Sequence, residues 1–242
     1  MHIYQKIIEN YSTGKTGMAV LIDPDKINSK TFENHIKYLH NSGIDYILVG
    51  GSLISSNLDD CVKKIKNNTT IPVLLFPGSV LQISKYVDAI LFLSLISGRN
   101  PEFLIGNQVV AAPLIKSLNI ETISTGYILI ENGSMTSVEY MSNSKPIPRN
   151  KPDLVIATAL AGEMLGHKIL YLESGSGAKE TIPLEIIQKV KENVSIPVIT
   201  GGGIKTPDQA KALKESGADI IVLGSIIEDN PTLLPEFVNA IS

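Results

Sequence analysis

The sequence is poor in the residues that form disulfides, metal clusters and membrane spans. It has one cysteine, Cys61, no tryptophan and four histidines among 242 residues. A lone cysteine cannot form an intrachain disulfide or a cysteine-rich zinc site, so we expect Cys61 to be a packing residue and the protein to be cytoplasmic. No apolar run approaches the ~18 residues of a membrane-spanning helix. Residues 1–15 are too polar for a signal peptide.

Strong charge of one sign is also missing. The chain has 21 Lys and Arg residues against 24 Asp and Glu, a formal net charge of −3, and contains no basic run. A nucleic-acid partner is therefore not expected. Because 43% of the residues are hydrophobic, the chain can bury a sizeable core, and we predict one domain over residues 1–242.

Short apolar runs rich in Val, Ile and Leu recur along the chain. Continuous rather than alternating hydrophobicity is typical of strands that are covered on both faces, as in a parallel sheet. Amphipathic stretches such as 31–43 and 206–218 separate most of the runs, and Gly43 and Gly217 stand where helices would end. We therefore predict an α/β fold, a (β/α)8 TIM barrel, with a doubly wound open sheet as the alternative. The eight predicted strands are 18–22, 46–50, 72–76, 89–93, 125–130, 168–172, 196–200 and 219–223.

Two connections depart from this pattern. Residues 77–88 are barely long enough for a crossover with its helix, so we expect the third helix to be shortened or replaced by a loop. The pair Asn132-Gly133 is a strong signal for a two-residue hairpin. Such a hairpin would extend the fifth strand outward, beside the same end of the barrel.

Carboxylates, hydroxyls and glycines collect where the predicted strands end. Barrel enzymes carry their chemistry at the carboxyl ends of the strands, so these positions are the candidate site. In chain order they are Asp23, Asp25, Gly50, Gly51, Ser52, Tyr171, Glu173, Ser174, Gly175, Ser176, Gly177, Gly201, Gly202, Gly203, Gly224 and Ser225.

The loops after strands six, seven and eight are all rich in glycine and are neighbours in a barrel. Glycine lets backbone N–H groups point into a shared space, and a nest of such donors binds phosphate. In this architecture the loops after strands seven and eight, together with a short helix, form a phosphate site. We predict that residues 225–231 contain that helix.

The other polar groups at the strand ends are carboxylates and hydroxyls, whose oxygen atoms can bind a metal ion. Asp23 beside Ser52 suits Mg²⁺, which takes few protein ligands and completes its shell with water and substrate phosphates. The histidines lie away from the predicted site, so a histidine base is not expected. Two alternatives stay open on these residues: a phosphate-barrel isomerase or lyase in which Asp23 and Glu173 form an acid/base pair, and a non-catalytic barrel that binds a phosphorylated ligand.

The motifs "LIDPDK", "VGGS", "YLESGSGA", "TGGGIKTP" and "LGS", in this order on this strand pattern, resemble the geranylgeranylglyceryl phosphate synthase family. Close bacterial relatives of that family make heptaprenylglyceryl phosphate. The resemblance spans essentially the whole chain, and Tyr-x-Glu followed by a Gly/Ser run is its most specific part. It implies a Mg²⁺-dependent prenyltransferase that joins a polyprenyl diphosphate to the C3 hydroxyl of sn-glycerol 1-phosphate. The product would carry the first ether bond of an archaeal-type lipid, and diphosphate would be released.

The resemblance also implies roles for individual residues. Asp23, helped by Ser52, would hold the metal, Glu173 would accept the proton of the attacking hydroxyl, and Tyr171 would help to fix the glycerol. The residues that would bind glycerol phosphate are Tyr171, Leu172, Glu173, Ser174, Gly175, Ser176, Gly177, Gly202, Gly203, Gly224 and Ser225.

One position departs from part of the family. Some relatives carry a lysine two residues before the metal-binding aspartate, where this chain has Leu21. The departure favours the branch that reads "LIDPDK" over the heptaprenyl branch, and it leaves Lys26 and Lys205 as candidate cations for a phosphate.

A prenyl tail would require a long apolar groove. We expect residues 77–88 and 91–104 to line it, with 77–88 able to act as its door and with a Phe or Tyr limiting its length. Exposed apolar surface near such a groove suggests a homo-oligomer and transient contact with a membrane.

Overall fold

The computed structural model describes residues 2–26 and 32–242. Its eight strands are all parallel and close into one barrel in the order of the sequence, with β8 paired to β1. The predicted (β/α)8 barrel is therefore confirmed, each predicted run contains or overlaps a strand, and the open-sheet alternative is wrong. The strands are β1 Gly17–Ile22, β2 Tyr46–Val49, β3 Val73–Leu75, β4 Ala89–Leu95, β5 Glu121–Leu129, β6 Ile169–Glu173, β7 Val198–Gly201 and β8 Ile220–Leu223.

Helices surround this barrel. Predicted helix 206–218 corresponds to α8, and predicted helix 31–43 corresponds to α2, except for residue 31, which lies outside the described residues. Gly43 and Gly217 follow these helices with φ of +84° and +98°, as expected of glycines that end a helix. The helices are α1 Ile3–Ser12, α2 Phe32–His40, α3 Leu58–Asn68, α4 Asn107–Ser117, α5 Ser137–Ser142, α6 Pro152–Met164, α7 Leu184–Asn193, α8 Pro207–Glu215, α9 Ser225–Asp229 and α10 Leu234–Ile241, with a π-helical turn at Glu102–Gly106.

The strands are mostly apolar because one of their faces packs against the helices and the other packs inside the barrel. In β1, Met18 and Val20 pack outward against the helices, whereas Ala19 between them packs inside the barrel. Cys61 on α3 is buried in the outer layer, as predicted. This two-sided burial is the physical reason for continuous rather than alternating hydrophobicity.

The amino-terminal end of the barrel is closed by α1. Ile3 and Ile7 are buried with the inner layer. The carboxylate of Glu121, at the start of β5, accepts hydrogen bonds from the N–H groups of Ile3 and Tyr4 at 2.7 and 2.8 Å. These bonds satisfy two N–H groups that the first turn of a helix leaves without partners. The candidate site lies at the opposite end, where the carboxyl ends of the strands meet.

The third crossover has the predicted form. Residues 77–88 connect β3 to β4 through turns and bends and contain no helix.

The hairpin predicted at Asn132-Gly133 is wrong. Gly133 does make a turn, with φ of +85°, but the chain then enters α5, whose first turn is capped by the Thr136 hydroxyl. Ile130 instead forms an isolated parallel bridge with Ile147. The side chain of Asn132 bonds to Ser174 in the loop after β6 and to Ser134 in its own loop, so this turn belongs to a packed loop rather than to a two-stranded ribbon.

Within residues 2–26 and 32–242, none of the helices combines the length and apolar composition needed to cross a bilayer.

Candidate active site

A cavity of about 900 Å³ opens at the carboxyl ends of the strands. Polar residues and glycines from the ends of β1, β2, β6, β7 and β8 form one part of its wall, and apolar side chains form the other. The polar wall contains Asp23, Lys26, Gly51, Ser52, Tyr171, Glu173, Ser176, Gly177, Gly202, Gly203, Lys205, Gly224, Ser225 and Glu228.

Asp23 stands at the end of β1 within a small charged network. Its backbone N–H donates to Oε1 of Glu228 at 3.1 Å. The Nζ of Lys26 lies 3.2 Å from Oε2 of Glu228 and 3.8 Å from Oδ2 of Asp23. A Cβ at Gly51 would come within 3.2 Å of the Asp23 carboxylate. Glycine at the end of β2 therefore leaves space beside this carboxylate, and Ser52 follows it on the cavity wall.

Asp25 does not line the cavity. Its carboxylate accepts hydrogen bonds from the N–H and hydroxyl of Ser55 at 2.8 and 2.9 Å and from the N–H of Ser56 at 2.8 Å. These donors stabilise the charged form and lower the pKa of Asp25 well below its usual range. Asp25 thus fastens the loop that follows β2, which is a structural role.

Glu173 ends β6 with its side chain buried; the residue is 5% exposed. Burial raises its pKa to about 7, because the charged carboxylate loses contact with water. Two neighbours oppose this shift: the N–H of Gly175, which donates a hydrogen bond to Oε1 at 2.6 Å, and the Tyr171 hydroxyl, which favours the charged form. A carboxylate with a pKa near neutrality is suited to accept a proton at physiological pH.

Three aromatic rings pack together beside Glu173. Tyr171 stacks on Phe76 at 5.1 Å between ring centroids and meets Tyr127 edge-on at 5.5 Å. Burial raises the pKa of Tyr171 well above its usual value, so its hydroxyl stays protonated and can donate to Glu173. The rings hold the Tyr171 side chain in place beside Glu173.

The glycines after β6 and β7 are required by backbone conformation and by close contact. Gly175, Gly177, Gly202 and Gly203 have φ of +99°, +71°, +88° and +71°, a region that side chains disfavour. A Cβ at Gly202 would lie 2.5 Å from Oε1 of Glu173. These loops therefore approach Glu173 closely, and they can do so because they lack side chains.

The structure brings most of the predicted site residues to one cavity. Three of the positions predicted to bind substrate do not line it. The Leu172 side chain is fully buried in the outer layer, and Gly175 lies behind the wall, bonded to Glu173. Ser174 is buried, and its hydroxyl has no hydrogen-bond partner among the described residues. The cavity lining includes both candidate cations, Lys26 and Lys205.

The predicted short helix after β8 is present as α9, which begins directly after Gly224. Its first turn carries Glu228, which sequence reasoning missed, as it missed Phe76 and Tyr127. The contact between Tyr127 and Tyr171 could have been predicted, because the two tyrosines lie on neighbouring strands and are paired in register on β5 and β6. Glu228 had none, since its role depends on how α9 meets the end of β1.

The histidines are away from this cavity, as predicted, and none lines it. His167, for example, precedes β6 and contacts the hydroxyl of Ser124 at 3.0 Å. Across the described ranges there is no group of three or more His, Cys, Asp or Glu side chains arranged to hold a metal. The oxygen donors at the ends of β1 and β2 are those of Asp23, Ser52 and the nearby Glu228.

The apolar wall runs from the third crossover to β4 and α4. Both segments that the sequence suggested for a groove contribute to it. Its side chains include Phe76, Val80, Ile83, Ile90, Phe92, Leu93, Leu95, Phe103, Ala111 and Ile115.

Fold and site together define a (β/α)8 barrel whose strand ends combine carboxylates, glycine-rich loops and an apolar groove. The chain belongs to the PcrB family, whose model matches residues 11–241. A geranylgeranylglyceryl phosphate synthase of Chitinophaga pinensis is 47% identical over 240 residues, which cover 99% of this chain and 95% of that protein. One of Flavobacterium johnsoniae is 47% identical over 229 residues, which cover 94% of each chain.

A solved structure gives the same result. The (S)-3-O-geranylgeranylglyceryl phosphate synthase of Thermoplasma acidophilum, in complex with its substrate sn-glycerol-1-phosphate, superposes with a TM-score of 0.92 at 34% identity. The match covers 100% of this chain and 98% of the other. The family resemblance stated from the sequence motifs is confirmed.

Proposed function

We propose that this chain is a Mg²⁺-dependent prenyltransferase. It joins a polyprenyl diphosphate, of which geranylgeranyl diphosphate is the expected donor, to the C3 hydroxyl of sn-glycerol 1-phosphate. The observation that carries this proposal is the position of Glu173, a buried carboxylate between glycine-rich loops and an apolar groove within one cavity. The names of the relatives and the ligand of the Thermoplasma acidophilum structure support it.

Glycerol phosphate is assigned to the loops after β6, β7 and β8. Gly177, Gly202 and Gly203 line the cavity and are the proposed source of backbone N–H donors, and Gly224 lines it directly before α9. Backbone donors and the end of a helix favour an anion without requiring a cation from the chain. Lys205 adds a positive charge to the same wall.

Glu173 is the proposed general base. It takes the proton from the C3 hydroxyl as that oxygen forms a bond to the allylic carbon of the donor. The bond from this carbon to the diphosphate breaks, and the diphosphate leaves with the electron pair. The Tyr171 hydroxyl, which the packed rings hold beside Glu173, is the proposed group that orients the carboxylate toward the acceptor.

Asp23 and Ser52 are the proposed ligands of Mg²⁺. One carboxylate and one hydroxyl, with space left open by Gly51, form the hard oxygen donor set that Mg²⁺ prefers when water and substrate phosphates complete its shell. When bound, Mg²⁺ would neutralise negative charge on the leaving diphosphate. Lys26, 3.8 Å from the Asp23 carboxylate, places a second positive charge at this corner.

The apolar wall is assigned to the prenyl tail. Leu53 and Leu81, on the loop after β2 and on the third crossover, are 73% and 90% exposed. We propose that this rim contacts a membrane transiently, where the donor resides, and that the protein is a cytoplasmic homo-oligomer. Val109, Val110 and Leu114 expose a further apolar surface on α4 that a second copy could cover.

The test is transfer of label into lipid. Purified protein is incubated with radiolabelled sn-glycerol 1-phosphate, Mg²⁺ and donors of 15, 20 or 35 carbons, and label extracted into butanol is measured. We expect transfer that EDTA abolishes and that sn-glycerol 3-phosphate does not support. Absence of transfer with every donor would refute the proposal, and a phosphate-barrel isomerase would then be the leading hypothesis.

A further inference from the structure

Two buried side-chain amides lie outside the cavity, and each is bonded to a loop that forms its wall. The first is Asn132, which follows β5 and is 6% exposed. Its Nδ2 donates to the carbonyl of Ser174. Its Oδ1 accepts from the N–H and hydroxyl of Ser134 at 3.2 and 2.8 Å, which fixes the orientation of the amide.

The bond from Asn132 reaches Glu173 through a single peptide group. The carbonyl of Ser174 and the N–H of Gly175 belong to the same peptide, which is planar and rigid. That N–H donates to Oε1 of Glu173 at 2.6 Å. Holding the carbonyl end of this peptide therefore holds the donor that orients the proposed base.

The second amide is Gln82, on the third crossover, which is 5% exposed. Its Oε1 accepts from the N–H of Gly78 at 2.9 Å, and its Nε2 donates to the carbonyl of Gly51 at 2.9 Å. Gly78 packs so closely here that a Cβ would lie 2.3 Å from the Gly51 carbonyl oxygen. The carbonyl of Gly51 shares its peptide with the N–H of Ser52, so Gln82 fixes the loop beside Asp23.

We propose that Asn132 and Gln82 are positioning residues that hold the two substrate-binding walls independently. Asn132 sets the wall for glycerol phosphate and the orientation of Glu173. Gln82 sets the wall for the diphosphate and joins the helix-free crossover to it. The assignment of a substrate to each wall rests on the proposed function, whereas the two separate tethers are properties of the chain itself.

The test compares Asn132→Leu with Gln82→Met, two neutral replacements of similar size. We expect Asn132→Leu to raise the KM for sn-glycerol 1-phosphate about 5- to 50-fold, because the loss of a buried hydrogen bond loosens that loop. It should also lower kcat and leave the KM for the donor within about twofold. Gln82→Met should do the opposite, raising the KM for the donor. Each variant is the control for the other, since general destabilisation would affect both substrates alike.

Calorimetry with sn-glycerol 1-phosphate, and separately with inorganic diphosphate and Mg²⁺, repeats the comparison without turnover. If wild-type protein transfers no prenyl group, the proposed function fails, while the two binding measurements still test the tethers. Should Asn132→Leu or Gln82→Met fail to fold in a thermal melt, Asn132→Ala and Gln82→Ala remove the same donors without adding bulk or charge at a buried position. Equal effects on both ligands, unchanged affinities in folded variants, or no binding of either probe to wild-type protein would overturn the proposal.

Discussion

Replacing Glu173 with Gln separates the chemistry of the site from its geometry. The glutamine carbonyl can still accept the 2.6 Å hydrogen bond from Gly175, and the side chain keeps its size. What is lost is the capacity to take a proton. We expect kcat to fall about 100- to 10,000-fold, which is the usual contribution of a positioned general base.

The raised pKa of Glu173 gives the same prediction a pH dependence. With a pKa of about 7, about a tenth of the side chains are ionised at pH 6, so kcat/KM should fall about tenfold for each pH unit below 7. The stability of the fold should change in the opposite direction. Between the usual glutamate value of 4.5 and about 7, the folded state holds a proton that the unfolded state has released. The free energy of unfolding should therefore decrease as pH rises through this window, by about 3 kcal/mol in total.

The assay is butanol extraction of labelled product from pH 5.5 to 8.5, with thermal melts of both proteins at each pH. Glu173→Gln has no charge to desolvate, so its melting temperature should lack the decline that is expected of the wild-type protein between pH 5 and 7. A variant within about threefold of wild-type kcat, or a wild-type kcat/KM that is flat from pH 5.5 to 7.5, would refute the assignment of Glu173 as the base.

Three further predictions concern the neighbouring positions. Gly202→Ala should weaken sn-glycerol 1-phosphate binding at least about tenfold in calorimetry, because its Cβ would lie 2.5 Å from Oε1 of Glu173; Gly166→Ala, with φ of +91° and open space around it, is the control for backbone strain alone. Asp23→Asn should raise the Mg²⁺ concentration needed for half-maximal turnover about tenfold or more, and an unchanged Mg²⁺ titration would contradict the metal assignment. Asp25→Ala should lower the melting temperature, since three hydrogen bonds to the loop after β2 are lost, yet leave kcat within about threefold; a greater loss of kcat would give Asp25 a part in the site.

The regular part of the fold was predictable because it depends on local composition. A strand between two buried layers is apolar at most of its positions, so the eight runs were recognisable without any knowledge of their partners. The glycine-rich loops were predictable for a similar reason. Positive φ at Gly202 and Gly203 is a demand of the backbone itself, and it leaves a visible trace in the sequence.

The turn at Asn132-Gly133 shows what local sequence patterns cannot predict. The pair does turn the chain, but whether a strand or a packed loop follows depends on what the Asn132 side chain meets. It meets the carbonyl of Ser174, 42 residues away in sequence. The roles of Asp23 and Asp25 could not be distinguished from the sequence for the same reason. Asp23 contacts Glu228 on α9, and Asp25 accepts hydrogen bonds from the loop after β2.

Local pattern in the chain was enough to predict the parallel barrel, its helix-free third crossover and the end of the barrel that carries carboxylates and glycines, since these follow from periodicity and backbone conformation. Three features became visible only in the folded chain: the burial of Glu173 beside Tyr171, Tyr127 and Phe76, the link from Asp23 through Glu228 to Lys26, and the buried amides bonded to the two walls. A pKa shift and a hydrogen bond depend on distance and desolvation, and these exist only when segments remote in the chain have packed together.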